Sequence, residues 1–79
     1  MTHKQVTYTD HASDQLKERG LTRPDVRRLL AIGMRRPDPE PGYESKWIRE
    51  AYIRGQEAGI CYAEYPDRIK IITVYWVER

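Results

Sequence analysis

The stretch His11–Leu30, HASDQLKERGLTRPDVRRLL, decides the fold because it encodes two helices and the turn between them. In its first half, Ala12, Leu16 and Arg19 share one face at helical spacing. Gly20 follows at once, and glycine is the residue that most often ends a helix in the left-handed conformation. The pattern predicts a short first helix, with the stem of Arg19 along the core edge and its guanidinium at the rim.

The second half of the stretch predicts a better specified helix. Thr22 precedes Asp25 by three residues in a variant of the capping box, and Pro24 occupies the first turn, where its missing N–H costs nothing. The apolar residues after it repeat with a period of 3.6 and should pack on a sheet; they are Val26, Leu29, Leu30, Gly33 and Met34. Arg35 and Arg36 come next, where the negative end of the helix dipole favours cations.

Strand-like runs flank the helices. Lys4–Thr9 precedes them, with Thr9 or Asp10 as helix cap, and Pro37–Ser45 after them reads as an extended surface connection. Three further runs are joined by short turns: Lys46–Arg54, Ile60–Tyr65 and Ile69–Val77. The last run is apolar on both faces, which indicates an interior strand. We therefore expect one α+β domain over residues 1–79, in the order β-α-α-β-β-β, with an antiparallel sheet and both helices packed on one face.

The charge of the chain is unevenly distributed. The net charge is only +2, but Lys17–Arg36 holds seven basic residues against two acidic ones. A basic stripe over one helical unit is typical of a surface that binds phosphates or an acidic partner. Charged residues on helices also simply face water, and the sequence leaves both interpretations open.

Several classes of protein are disfavoured by the composition. The lone Cys61 has no partner for an internal disulfide, and the N-terminal residues lack the apolar run of a signal peptide, so we expect a cytoplasmic protein. The longest nearly apolar run, Ile69–Val77, falls far short of the ~20 residues that cross a bilayer. No metal-binding spacing occurs, since His3, His11 and Cys61 are the sole histidines and cysteine. We expect neither a metal nor another cofactor.

The layout resembles a small bacterial domain family of unknown function, of the DUF4258 type, placed among RelE/ParE-like toxins. The residues that carry the resemblance extend over nearly the whole chain: His11, Ala12, Arg19, Gly20, Leu21, Thr22, Val26, Leu30, Thr73 and Tyr75. The resemblance implies a RelE-like fold and metal-independent ribonuclease activity, often neutralised by an antitoxin encoded alongside. Some members of that superfamily have instead lost catalysis or act on DNA topology enzymes.

Four residues are candidates for RNA cleavage, which needs a base for the ribose 2′-hydroxyl, a cation for the phosphorane and a proton donor. His11 lies at a helix start, where the dipole favours a neutral ring; capping of a neighbouring backbone group would explain it equally well. Arg49, Arg54 and Arg19 are the candidate cations, and Arg49 is preferred. Alternation does not decide which side of the Lys46–Arg54 run faces an open sheet surface, because both sets are mixed: Trp47, Arg49, Ala51, Ile53 and Ile48, Glu50, Tyr52, Arg54. Thr73 and Tyr75 share a face of the last strand, and Tyr75 would stack on a base or donate a proton, although threonine also suits strands without any function.

The remaining candidates would bind nucleic acid through phosphate contacts. They are Arg19, Arg23, Arg27, Arg28 and Arg54. RNA or the ribosome would then be the partner, with a cognate antitoxin as a second one and no membrane. Two alternatives stay open: a non-catalytic module that binds nucleic acid or protein through the same surface, and a homodimeric accessory joined through a sheet edge.

Overall fold

The computed structural model describes residues 4–37 and 46–78 and has an α+β architecture. The elements are β1 Gln5–Tyr8, α1 Asp10–Arg19, α2 Arg23–Ile32, β2 Met34–Pro37, β3 Lys46–Ile53, β4 Gln56–Glu64 and β5 Arg68–Trp76. The predicted fold class and the position of both helices on one face of the sheet are confirmed. The predicted connection Pro37–Ser45 lies outside the described residues except for Pro37, which ends β2.

Both helices begin and end as their sequences predict, with one exception. Thr9 caps α1 by accepting a hydrogen bond from the Ala12 N–H, and Gly20 ends the helix in the left-handed region at φ 67°. The capping box of α2 is complete, since the side chains of Thr22 and Asp25 each accept a hydrogen bond from the other's backbone N–H. The exception is the end of α2.

The predicted stripe continued α2 through Gly33 and Met34, and this prediction was wrong. The helix ends at Ile32, and Met34 begins β2, an edge strand that pairs with β3. Gly33 marks the change of direction because a side chain there would collide with the backbone of α2 and with Arg49 of β3. Arg35 therefore lies in a strand, as does Arg36, and neither sits at a helix terminus.

The sheet is mixed rather than antiparallel throughout. Its strand order is β1-β5-β4-β3-β2, and every neighbouring pair is antiparallel except β1 and β5, which run parallel. Both helices and three strands separate β1 from β5 in the sequence. This intervening chain is long enough for β5 to return beside β1 in the same direction. β5 is interior, as its two apolar faces predicted.

The turn between β3 and β4 is tighter than the sequence suggested. Residues 55–59, GQEAG, were expected to form a loop, but the strands pair up to Ile53 and Gln56. Only Arg54 and Gly55 remain for the turn, both at positive φ (51° and 85°), which is the geometry that joins strands with right-handed twist. Gly59 consequently lies inside β4 and not in a loop.

A bulge in β5 decides which side chains of this strand face the helices. Cys61 pairs with Thr73 but Tyr62 pairs with Ile71, so Ile72 is an extra residue in β5. The extra residue breaks the alternation of faces. As a result Ile71 and Val74 both join the core, while Thr73 is turned to the opposite face.

The core lies between the helices and the sheet. Its largest fully buried side chains are Tyr62, Leu29, Ile53, Ile60, Ile71, Val26 and Val74. Truncating one of them, such as Leu29 to alanine, would cost roughly 2–5 kcal/mol. In the described part of the chain no helix is both long and apolar enough to span a membrane.

The end of β5 that extends beyond β1 is completed by polar groups of α1 and its cap. The buried amide of Gln15 accepts a hydrogen bond from the Val74 N–H (2.9 Å), and the Arg19 guanidinium donates to the Val74 carbonyl (2.8 Å). The Thr9 hydroxyl donates to the Ile72 carbonyl. These side chains take the place of a neighbouring strand.

Candidate functional site

The face of the sheet that points away from the helices, termed the open face here, carries the candidate site. Its middle row contains one residue from each of four adjacent strands, paired side by side: Met34, Glu50, Gly59 and Tyr75. The next row contains Arg36, Ile48, Cys61 and Thr73. Every second side chain of a strand points to the same face of the sheet, so polar and apolar groups from four strands converge on the open face.

Three of these residues form a connected group, termed the Glu50 cluster. The Tyr75 hydroxyl donates to Oε2 of Glu50 at 2.9 Å, and the Arg36 guanidinium lies 3.5 Å from the same oxygen. The Glu50 side chain is only 20% exposed, whereas that of Arg36 is 52% exposed. A carboxylate, a phenol and a cation thus meet at the surface, and neither donor uses Oε1 of Glu50.

Gly59 is the residue that lets Tyr75 reach Glu50. It lies between them in the row, and a Cβ placed on it would stand 2.5 Å from Cζ of the Tyr75 ring. The ring therefore lies directly over the glycine. Any larger residue would push the ring away from Glu50.

The ionisation of Tyr75 is strongly perturbed by this environment. Burial, the hydrogen bond to Glu50 and the negative charge of Glu50 raise the pKa of Tyr75 well above its ordinary value of 10.0, and the Arg36 charge opposes that rise only in part. The phenol is therefore a hydrogen-bond donor throughout the physiological pH range.

The structure brings two of the four predicted catalytic residues together and separates a third. Thr73 and Tyr75 both lie on the open face. Arg49 lies on the helix face instead, where its guanidinium donates to the Tyr62 hydroxyl (2.9 Å) and to the Gly33 carbonyl (2.8 Å). Alternation could not tell the faces of β3 apart in the sequence. The preference for Arg49 as the cation beside Thr73 and Tyr75 was wrong, because its side chain ties β3 to β4 and to the end of α2.

His11, the fourth predicted catalytic residue, is exposed in the first turn of α1. The preceding Thr9 anchors this turn to β5 at Ile71 and Ile72. Among the hydrogen bonds and ion pairs of the described ranges, none joins the imidazole to Thr73 or Tyr75. The four predicted catalytic residues therefore do not form one constellation.

Two of the predicted phosphate-binding arginines have intramolecular roles. Arg19 completes the edge of β5, as described above. The guanidinium of Arg54 donates to both carboxylate oxygens of Asp25 at 2.8 Å and to the Gly20 carbonyl at 2.9 Å, which ties the β3–β4 turn to the corner between the helices. Burial opposes ionisation of Asp25, but the hydrogen bonds from Arg54 and Thr22 outweigh it and lower its pKa below 3.8.

The other three predicted arginines remain at the surface of α2. Arg23 stacks over the ring of Tyr8 at 4.9 Å, and Arg27 and Arg28 are exposed. A groove of about 860 Å³ runs between α2 and β1 beside them, with Lys4 and Arg27 among its lining and Val6, Leu30 and Ile69 as apolar contacts. This basic surface lies on the helix side of the molecule.

Glu50 and Arg36 are the functional candidates that the sequence did not single out. Glu50 stood in one of two equally mixed sets of β3, and Arg36 was assigned to a helix end. The turn at Arg54 and Gly55 is the sequence feature from which Glu50 could have been identified. Counting back from that turn pairs Glu50 with Gly59, and a glycine inside a strand marks a close approach by another group.

A metal site is not apparent in the parts of the chain that the structure describes, where no group of three or more His, Cys, Asp or Glu residues could hold an ion. The two rows bring a carboxylate, a phenol, a hydroxyl, a thiol and a guanidinium to the open face. Such groups suit acid–base and hydrogen-bonding roles.

Comparison with known proteins gives one family. No curated protein and no solved structure matches the chain. The model of a domain of unknown function, DUF4258, matches residues 8–76, which include α1, α2 and both strands that supply Glu50 and Tyr75. The match extends over most of the chain, and the protein therefore belongs to the DUF4258 family.

Proposed function

We propose that this domain is a metal-independent endoribonuclease of the RelE/ParE-like toxin group, with the Glu50 cluster as its reactive centre. One observation carries the proposal: the Tyr75 hydroxyl and the Arg36 guanidinium meet on one carboxylate oxygen of Glu50 at the open face. The resemblance of the sequence to toxins of that group supports it. So does the presence of all three chemical functions that cleavage through a ribose 2′-hydroxyl needs.

The reaction assigns one step to each group. Glu50 takes the proton from the 2′-hydroxyl through Oε1, the oxygen that Tyr75 and Arg36 do not contact. The 2′-oxygen attacks the adjacent phosphorus, and Arg36 stabilises the negative charge that grows on the phosphoryl oxygens. The bond from phosphorus to the 5′-oxygen breaks, and that oxygen receives a proton from Tyr75. The products are a 2′,3′-cyclic phosphate and a free 5′-hydroxyl.

The hydrogen bond between Glu50 and Tyr75 couples the base to the acid. The negative charge of Glu50 is one reason why the pKa of Tyr75 is raised. When Glu50 accepts the ribose proton, that charge disappears, and Tyr75 becomes a better proton donor at the moment the leaving oxygen needs one. The proton then returns from Glu50 to Tyr75 after the product leaves.

Thr73 and the surroundings complete the proposed assignment. Thr73 lies one row from Glu50 and Tyr75 on the same face, in the row that contains Arg36, and would contact the phosphate or ribose. The partners would be RNA or the ribosome in the cytoplasm, together with a cognate antitoxin protein. Arg49, Arg19 and Arg54 hold the scaffold in this proposal and do not contact the substrate.

Incubation of the purified protein with RNA in the presence of a chelator tests the proposal. We expect fragments that end in 2′,3′-cyclic phosphate, and a loss of at least ~100-fold in rate for Glu50→Gln. Tyr75→Phe should lose activity too, while Glu18→Gln, an exposed carboxylate of α1, serves as the matched control and should cleave normally. Intact RNA with folded wild-type protein, or equal rates for Glu50→Gln and wild type, would refute the proposal.

A second candidate function is a non-catalytic module that binds nucleic acid or protein. It is favoured by one feature beside the cluster, the exposure of Met34 (83%) and Tyr52 (67%), which are large apolar side chains on the same face. Under this alternative the RNA stays intact but a partner binds. Steep weakening with salt would indicate phosphates, and insensitivity to salt would indicate an apolar protein interface.

A further inference from the structure

The open face is chemically different on the two sides of the Glu50 cluster. Towards the β3–β4 turn, Tyr52 lies two residues beyond Glu50 on β3 and is 67% exposed. In the other direction, Lys46 lies four residues before Glu50, and Lys70 stands in the same row across Ala63. An exposed aromatic ring and a pair of lysines thus bracket the cluster along the strand direction.

The distances from Glu50 to Tyr52 and to Lys46, measured along β3, are long enough to place different nucleotides of one RNA chain at the three positions. At 3.2–3.4 Å per residue, Tyr52 lies about 7 Å and Lys46 about 13 Å from Glu50. Both distances exceed the ~3.4 Å rise between stacked nucleotides of one strand. Tyr52 would therefore meet the base of a neighbouring nucleotide, and the lysines would meet a phosphate other than the one at Glu50.

The two sides would use different interactions. On the side towards the β3–β4 turn, the exposed group is the ring of Tyr52, so contact there is by stacking on a base. Lys46 and Lys70 flank Ala63, which is fully buried, and two strand spacings separate their backbones by about 10 Å. Two ammonium groups at this separation suit the phosphates of one flexible strand.

We propose that the open face binds single-stranded RNA lengthwise along β3, with Tyr52 stacking on a base on one side of the Glu50 cluster and Lys46 with Lys70 holding the phosphate backbone on the other. The inference rests on the proposed function for the identity of the nucleic acid. A duplex is excluded as substrate because regular A-form geometry keeps its bases stacked inside the helix, away from Tyr52, and its 2′-hydroxyls out of line with the bonds to be broken.

Binding is measured with a probe that the proposed reaction cannot cleave, a fluorescent single-stranded RNA of about ten nucleotides in which every 2′-hydroxyl is methylated. Fluorescence anisotropy gives its Kd over a range of salt concentrations. We expect the double variant Lys46→Ala/Lys70→Ala to bind about tenfold more weakly and to reduce the slope of log Kd against log salt by about 1.4, or 0.7 per lost phosphate contact. Tyr52→Ala should weaken binding about tenfold without changing the slope.

The exposed Lys17 of α1 provides the matched control, and Lys17→Ala should leave both the affinity and the slope unchanged. The proposal is overturned if the Lys46/Lys70 variant keeps the wild-type slope, if Lys17→Ala changes it equally, or if a duplex of the probe binds as tightly as the single strand. This outcome is separate from cleavage. Expected binding with no cleavage of ordinary RNA refutes the reaction alone, and cleavage unaffected by the lysines refutes the lysine contacts alone.

Discussion

At the scale of single residues, the candidate site depends on Gly59, which has no side chain. Gly59 leaves the space in which the Tyr75 ring crosses from β5 to reach Glu50 on β3. Strand β4 lies between β5 and β3, so most side chains of β5 cannot reach a hydrogen-bond partner on β3. An aromatic ring that lies over a glycine of the middle strand spans this distance. The geometry of the Glu50 cluster is therefore set by the backbone of β4 as much as by its own members.

Gly59→Ala tests this dependence. The added Cβ would stand 2.5 Å from Cζ of Tyr75, so the ring must move and the hydrogen bond to Glu50 is lost. We expect a loss of about 1–3 kcal/mol in the free energy of unfolding, as for other overpacked sites. The raised pKa of Tyr75 should also fall towards its ordinary value, which NMR of labelled tyrosine would report.

The control is the same substitution in a Tyr75→Ala background, where the ring is absent. There the alanine at position 59 should cost little, because the space that it needs is already empty. An equal cost in both backgrounds would mean that Gly59 is required by the strand itself and not by the ring of Tyr75.

At the scale of elements, α1 acts as a substitute strand for β5. Strand β1 has four residues and β5 has nine, so the outer edge of β5 extends past its neighbour. Gln15 and Arg19, one helical turn apart on α1, satisfy the N–H and the carbonyl of Val74 on that edge. This explains why the polar Gln15 occupies a position of α1 that is 94% buried, where an apolar residue would otherwise be expected.

Gln15→Leu keeps the volume of this side chain but leaves the Val74 N–H buried without its acceptor. We expect the free energy of unfolding to fall by about 1–3 kcal/mol, the cost of an unsatisfied buried donor. Urea denaturation measures it, and hydrogen exchange at the Val74 amide should accelerate more than at Ile60 in the centre of the sheet. Lys17→Ala, on the exposed side of the same helix, should stay within about 0.5 kcal/mol of wild type.

Two further links between elements, Asp25 with Arg54 and Glu64 with Lys4, make the free energy of unfolding depend on pH. The pKa of Asp25 is lowered below 3.8, since hydrogen bonds from Arg54 and Thr22 outweigh burial; the pKa of Glu64 is lowered below 4.5, chiefly by its hydrogen bond with Lys4. Because each folded pKa lies below the unfolded one, the unfolded chain binds more protons in that range. Both carboxylates therefore stabilise the fold above the unfolded pKa values, and this contribution is lost as the pH falls through the folded ones.

We accordingly expect the free energy of unfolding to decrease on acidification from about pH 5 to about pH 2, measured by urea denaturation. Asp25→Asn should be less stable than wild type at neutral pH but should show a shallower dependence on pH in this range. Asp14→Asn, an exposed carboxylate of α1, is the control and should keep the wild-type dependence. A wild-type slope for Asp25→Asn would show that the Arg54 link contributes nothing.

The sequence predicted the parts of the fold that local chemistry determines. Thr9, Thr22 and Gly20 bound the helices where the capping rules place them, since each acts on backbone groups within one helical turn. The bulge at Ile72 could not be predicted, because it depends on the register between β4 and β5, and it alone turns Thr73 and Tyr75 to the open face. The Glu50 cluster was missed for the same reason: its members lie in three strands, and pairing, not local pattern, brings them together.

At the scale of the whole molecule, basic residues occupy both sides of the sheet. Arg23, Arg27 and Arg28 lie on α2, and Arg36, Lys46 and Lys70 lie on the open face. An RNA bound on the open face would contact Arg36, Lys46 and Lys70 and not the arginines of α2, because the sheet lies between them. Exposed charges that lie more than about one Debye length (~8 Å) from a bound phosphate are largely screened from it at physiological ionic strength.

This separation gives a prediction that decides which surface RNA uses. If RNA lies on the open face, Arg27→Ala/Arg28→Ala should change kcat/KM for RNA cleavage by less than about twofold at ~0.15 M salt, because screening removes the influence of α2. Arg36→Ala should lower kcat/KM by about tenfold or more at the same salt concentration, since its guanidinium would contact the phosphoryl group. If instead the α2 variant lost more activity than Arg36→Ala, the basic helix first indicated by the sequence would be the RNA surface. The Glu50 cluster would then be a structural link between strands, because a substrate held on α2 could not at the same time lie across the opposite face of the sheet.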